Sequence, residues 1–191
     1  MKLYILLSIF GTLISNSFAK LSLRQVIDAN VGEGRPFEET NLYESFIEGE
    51  MGSGKYQSYT QVNTFMMTLL DEYPELVSKV DISKHGSPTR KGYYLKILRF
   101  GYKSTSPRAE SILIDGAHHS RELTSVQMVS YTMLRTLYDH ELENDSNGVM
   151  HTFFKSHNIY FIPVVNIDGF EEIAKYWTKH HQLEYVRKNM K

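Results

Sequence analysis

Ser111-Ile-Leu-Ile114, followed at once by Asp115-Gly-Ala-His118-His119-Ser-Arg121-Glu122, is the stretch whose reading decides the fold. The short Ile-rich apolar run is strand material, and the Gly after it supplies turn chemistry. Beyond Glu122 the apolar residues Val126, Val129, Met133, Leu134 and Leu137 recur at helical spacing on one face. Strand, turn and helix in that order place polar side chains outside the carboxyl end of a strand, where open α/β sheets hold their ligands. His119 and Glu122 fall there, three residues apart. Neutral imidazole and carboxylate are ligands of a catalytic zinc ion, which binds them at about 2.0 to 2.2 Å and uses three protein ligands plus a position for water.

Spacing alone does not choose the site, because His-x-x-Glu occurs three times: His119 with Glu122, His140 with Glu143, and His181 with Glu184. The second pair lies in the charged stretch Asp139-His-Glu-Leu-Glu-Asn-Asp145, which reads as a solvated helix end, and the third in a polar tail. Only the first has an apolar strand before it and a periodic helix after it. A competing reading makes His119 and Glu122 a helix-capping pair, since a Glu in a first helical turn is favoured by the macrodipole alone.

Outward from this unit, Val62, Phe65, Met66, Leu69 and Leu70 fall at i, i+3, i+4, i+7 and i+8, which predicts a core-facing helix that Pro74 ends. Leu76 to Ile82 and Tyr93 to Phe100 read as strands around the turn Ser83-Lys-His-Gly86-Ser-Pro88. Ser111 to Ile114 is expected as a buried strand. Ile159-Tyr-Phe-Ile-Pro-Val-Val165 is a continuous apolar run, as for a strand covered on both faces. The predicted fold is an α/β layered domain with a mostly parallel or mixed sheet flanked by helices.

At 191 residues the chain has the length of one ordinary domain. A formal net charge of -1 without a dense Lys/Arg block gives no electrostatic case for nucleic acid. Lys2, the apolar run Leu3 to Ile14 and Ser17-Phe-Ala19 together read as a signal peptide over residues 1–19, so the chain is expected to be secreted, with no membrane span once that segment is removed. Asn144-Asp-Ser146 is a possible glycosylation acceptor. The chain has no cysteine, which excludes both a disulfide framework and thiolate metal ligands. Residues 20–55, with Gly32, Gly34, Pro36, Gly49, Gly52 and Gly54 among acidic residues, read as a Gly-rich acidic leader or linker too short for a core of its own.

Asp115-Gly-Ala-His-His-Ser-Arg-Glu122 resembles the zinc-binding signature of the metallocarboxypeptidases of the carboxypeptidase A/B type. Other segments resemble the same family in the same order. Tyr56-Gln-Ser-Tyr59 through Tyr73-Pro74-Glu-Leu-Val77 is similar to its opening helix and Tyr-Pro. Asn166-Ile-Asp168-Gly169 is similar to its Asn-Pro-Asp-Gly turn, and Tyr185-Val-Arg187-Lys188-Asn189 to its Arg-Lys-Asn stretch. Residues 56–191 are thereby identified as the N-terminal part of a zinc carboxypeptidase domain.

The resemblance implies that His119 and Glu122 are the first two Zn2+ ligands and His118 a neighbour. It implies that Arg121 lines the cleft that receives the C-terminus of a peptide substrate, and that Arg187 stabilises the oxyanion formed when water attacks the carbonyl. For both arginines, an ordinary surface position is the competing explanation. A turn with Asn166 and Gly169 also follows from backbone geometry alone. In the family, the third zinc ligand, the Asn-Arg pair that grips the terminal carboxylate, a Tyr and the general-base Glu lie farther downstream than this sequence runs. The expected function is zinc-dependent hydrolysis of C-terminal residues, incomplete and inactive in this chain by itself. The alternatives are a non-catalytic secreted binding module and a related zinc deacylase.

Overall fold

Four short strands form one mixed sheet in a computed structural model that describes residues 21–52, 55–143 and 147–183. The signal segment 1–19, the acceptor Asn144-Asp-Ser146, Glu184 and Arg187 lie outside the described residues. The element order is α1 (Leu23–Gly32), a 3-10 turn (Phe37–Glu39), α2 (Leu42–Phe46), α3 (Tyr59–Glu72), β1 (Val77–Val80), β2 (Ile97–Phe100), β3 (Ser111–Asp115), α4 (Leu123–Leu142), α5 (Val149–Ser156), β4 (Asn158–Ile162) and α6 (Ile167–His180). The strands lie in the order β1-β2-β4-β3. β2 pairs antiparallel with β1 and with β4. β3 and β4 run parallel, with Ile114 opposite Phe161 and Asp115 opposite Ile162. A parallel pair needs a long crossover, and α4 and α5 supply it.

The two inner strands carry the sheet's core. Leu98, Phe100, Ile159 and Phe161 are buried, with Phe100 and Phe161 edge to face at 4.8 Å between ring centroids. The helical periodicity after Glu122 is realised in α4, which buries Val126, Val129, Met133, Leu134 and Leu137. The stripe Val62, Phe65, Met66 and Leu69 is likewise buried in α3, whose N-terminus is closed by a capping box between Ser58 and Gln61.

Two expectations are corrected. Ser111 to Ile114 is not a buried strand: Ile112 is 48% and Leu113 59% exposed. β3 occupies the edge of the described sheet, so a strand flanks it on one side only. Residues 21–52 also depart from a bare linker. Leu23, Ile27, Leu42, Ile47 and Met51 are fully buried and belong to the same core as α3 and α4. Leu23, Val26, Ile27 and Val31 fall at helical spacing, and Ser22 forms a capping box with Gln25, so the signal was present beneath the glycines. The buried amide of Gln127 on α4 fastens the end of this segment, donating to the carbonyls of Ile47 at 3.2 Å and Lys55 at 2.9 Å and accepting from the Gln57 N–H at 3.3 Å.

Arg99, buried in β2, pins the loop after that strand. Its guanidinium donates to Asn158 Oδ1 at 2.8 Å and to the carbonyls of Tyr102 at 3.1 Å and Thr105 at 2.5 Å. No helix among the described residues is long and apolar enough to cross a membrane.

Candidate metal centre at the end of strand β3

The β3/β4 ladder does not stop at the strand ends. Gly116 N–H donates to Ile162 O at 3.0 Å, Val165 N–H to Gly116 O at 3.0 Å, and Asn166 N–H to Ala117 O at 2.9 Å. The chain leaving β3 is therefore clasped to the chain entering α6. A Cβ at Gly116 would stand 2.8 Å from Pro163 O and 3.0 Å from Ser125 O, so only glycine allows this approach. Ala117 then takes φ +48°, a conformation rare for a residue with a Cβ. The surroundings hold it: its N–H donates to Ser125 Oγ at 2.8 Å, and Ser125 Oγ donates in turn to Glu122 O at 2.6 Å.

The sharp bend turns His119 and Glu122 toward each other. His119 Nδ1 lies 2.8 Å from Glu122 Oε1, and the two side chains are 41% and 48% exposed. A turn closed by the Glu122 N–H to His119 O bond at 3.0 Å fixes their separation along the chain. The hydrogen bond from His119, aided by the nearby charges of His119 and Arg121, holds the Glu122 carboxyl below its ordinary value of 4.5, so it is an anion at neutral pH. Since a carboxylate accepts only, Nδ1 carries the shared proton.

This donor set fits a zinc ion in kind. Metal binding displaces a proton from its ligands, and the proton on Nδ1 is the one an ion would replace. Two ligands of a tetrahedral ion stand about 3.3 Å apart at the usual bond lengths. Opening the pair by about half an ångström is within reach of exposed side chains held in staggered wells. Among the described residues no group of three or more His, Asp or Glu side chains is placed to hold a metal ion, so this pair provides two donors and no third.

The neighbouring side chains are spoken for. His118 Nε2 lies 3.1 Å from Asp115 Oδ1. Arg121 is exposed, beside the pair. Asn166, expected in a turn at a strand end, is the N-cap of α6 and accepts from the Gly169 N–H at 3.2 Å. Phe170, Ile173, Ala174 and Trp177, at i, i+3, i+4 and i+7, are the periodicity that announces this helix. Asp168 is buried and accepts from Thr89 Oγ1 at 2.6 Å and Lys91 N–H at 3.2 Å, bracing the loop before β2 against the helix start. No sequence spacing connects Thr89 to Asp168.

Of the other two His-x-x-Glu pairs, His140 and Glu143 are not brought together, and Glu184 of the third lies outside the described residues. His140, expected at a solvated helix end, is 7% exposed, and Tyr102 Oη lies 2.8 Å from its Nε2. Glu143 accepts from the Met150 N–H at 2.7 Å at the start of α5. The physical reason is the turn of α4: His140 falls on the stripe of Met133 and Leu137, at i+7 and i+3. His181 closes α6 in a left-handed conformation, φ +52°.

Residues 62–190 match the family described as zinc carboxypeptidase. The chain is similar to mast cell carboxypeptidase A of Homo sapiens, with 27% identity over 134 residues, covering 70% of this chain and 29% of that protein. It is also similar to the protein of Schizosaccharomyces pombe named inactive metallocarboxypeptidase ecm14, with 25% identity, covering 66% of this chain and 26% of that protein. Among solved structures, the crystal structure of thrombin activatable fibrinolysis inhibitor overlays at a TM-score of 0.56 and 24% identity, covering 88% of this chain and 35% of that one. The chain thus spans about a quarter to a third of the length of the curated relatives it matches.

Proposed function

The chain belongs to the zinc carboxypeptidase family, and from that premise we propose that His119 and Glu122 are two ligands of a catalytic Zn2+ in a peptidase that removes C-terminal residues from peptides. The observation that carries this reading is the 2.8 Å convergence of His119 Nδ1 and Glu122 Oε1 at the carboxyl end of a strand of the parallel pair. When bound, the ion polarises a substrate carbonyl and lowers the pKa of a water. Glu122 would bind the ion as an anion, and a neutral His119 would offer Nδ1 once its proton has moved to Nε2. Arg121 lines the approach for the peptide. Arg187 stabilises the developing oxyanion, a role that suits a guanidinium because it stays charged beside a cation. Residues 1–19 direct the chain to the secretory pathway and are removed there.

A second reading has the chain as a carboxypeptidase-like binding module without catalysis of its own, in keeping with the two donors, and no third, that the described residues bring together. General-base catalysis alone is worth about 10² to 10⁴ in rate, and loss of metal polarisation adds to that. The 191-residue polypeptide by itself is therefore expected to release no C-terminal residues even with Zn2+ added. The experiment assays this polypeptide, and any longer product of the same reading frame, on peptides with free and blocked C-termini. Chelator-sensitive release from free ends by the longer product, lost in Glu122→Ala, supports the peptidase. A zinc-loaded longer product without turnover supports the module.

A further inference from the structure

We infer that Gly169, at the start of α6, is a positioning residue for His119 and Glu122, acting through a keyed contact with the buried side chain of Ser120. The inference rests on the reading of those two residues as metal ligands. Ser120 has no exposed surface, whereas His119 before it and Glu122 after it are half exposed. The short loop that presents both donors is thus anchored at one buried point between them.

What lies against that point is the place where a side chain is missing. A Cβ on Gly169 would stand 2.7 Å from Ser120 Oγ and 3.0 Å from both Nδ2 and Oδ1 of Asn166. Carbon atoms in favourable contact stand about 3.5 to 4.0 Å from their neighbours, so the Ser120 hydroxyl occupies space that any other residue at 169 would fill. The backbone does not require glycine here, since Gly169 is not among the residues with positive φ. Glycine within a helix is less favourable than alanine by about 1 kcal/mol. A residue that weakens the helix stands where only its lack of a side chain is useful, and the use is the close approach of the ligand loop.

The other side of the contact is equally constrained. Asn166 caps the helix through Oδ1, which fixes the plane of its amide. Its Nδ2 is buried without a hydrogen-bond partner, and its N–H clasps Ala117 O. The amide cannot swing away to make room without losing the cap. Movement at 169 is therefore passed to Ser120, and from there to the donors on either side.

The test compares Gly169→Ala, Ser120→Ala and the double variant in the 191-residue protein, with histidine side chains labelled for NMR. Gly169→Ala is expected to shift the His119 imidazole signals in metal-free protein and to weaken Zn2+ binding at His119 by about tenfold or more, as loss of supporting contacts does at metal sites. The double variant relieves the overlap at Ser120 Oγ and is expected to recover both readouts in part, which a general loss of helix packing would not do. Unchanged His119 signals in Gly169→Ala, or equal losses in single and double variants, would overturn the inference. Should Gly169→Ala fail to fold, Ser120→Gly removes the anchor without adding bulk. It is expected to weaken Zn2+ binding, and wild-type binding with unmoved His119 signals counts against the keyed contact. Zn2+ binding that survives His119→Ala would sink the ligand reading alone, because the metal-free imidazole shifts report the contact independently.

Discussion

The hydroxyl of Tyr102 sits between two imidazoles, 2.8 Å from His140 Nε2 and 2.5 Å from His151 Nδ1. Glu141 Oε1 lies 3.2 Å from His140 Nδ1 and, being an acceptor, requires a proton there. His140 is thus spent on a buried polar chain, whereas His119 is exposed beside a carboxylate. His140→Ala is expected to lower stability by about 1 to 3 kcal/mol, the cost of orphaning buried polar groups, and to leave zinc content unchanged. His119→Ala should do the reverse. Metal analysis and chemical denaturation of both variants in the longest foldable product check this, and equal zinc loss would overturn the assignment. The hydrogen bond from His140 also holds Glu141 below the ordinary 4.5 despite partial burial. A depressed folded pKa means that the contribution is complete above 4.5 and fades as the pH falls through the lower folded value. The difference in Tm between wild type and Glu141→Gln should be largest near neutrality and shrink below about pH 4.5. A difference constant from pH 7 to 3 would show that this linkage is absent.

At the scale of elements, α1 shows how a helix can be hidden in a sequence. Its stripe of Leu23, Val26, Ile27 and Val31 is regular, but six turn-forming Gly and Pro residues between 32 and 54 draw attention to loops. The helix is held from outside itself. The carboxylate of Glu72 accepts from the Arg24 N–H at 2.5 Å and from the Leu23 N–H at 3.2 Å, so the end of α3 caps the start of α1. Isolated helices of ten residues are marginal in water, and this one depends on that tertiary cap and on burial of Leu23 and Ile27. Ile27→Ala should therefore destabilise the whole domain by about 2 to 5 kcal/mol. Denaturant unfolding followed by the Trp177 fluorescence, far from the substitution in sequence, is the measurement. An unchanged midpoint would mean that residues 21–52 fold as a separate unit.

At the scale of the molecule, β3 forms one edge of the described sheet. Ile112 and Leu113 are exposed on β3, which has one pairing partner among the described residues, the condition that invites edge-to-edge association. Leu113→Lys places a charge on that edge and is expected to raise the concentration at which the 191-residue polypeptide remains monomeric. Light scattering across a dilution series tests it, and identical association of the two proteins would assign the tendency to another surface. The charge leaves the β3/β4 ladder intact, because the pairing of Leu113 with Tyr160 runs through the backbone.

Local chemistry was enough to read the strand-turn-helix unit around His119, the apolar stripes of α3 and α4, and the β4 run, because each is written in contiguous residues, the helices at a period of 3.6 and the strands as short apolar runs. The same locality placed Glu122 three residues from His119, in the turn that leads into α4. Tertiary structure alone decided the rest. Among the described strands it set β3 at the edge, since which strand has a neighbour on both sides is a property of the sheet and not of four residues. It buried His140 and left His119 exposed, although both have the same spacing to a glutamate, because the rotation of α4 against the sheet is set by packing. It also brought Gly169 beneath Ser120 and Asp168 against Thr89, contacts between residues 49 and 79 positions apart, for which no local period exists.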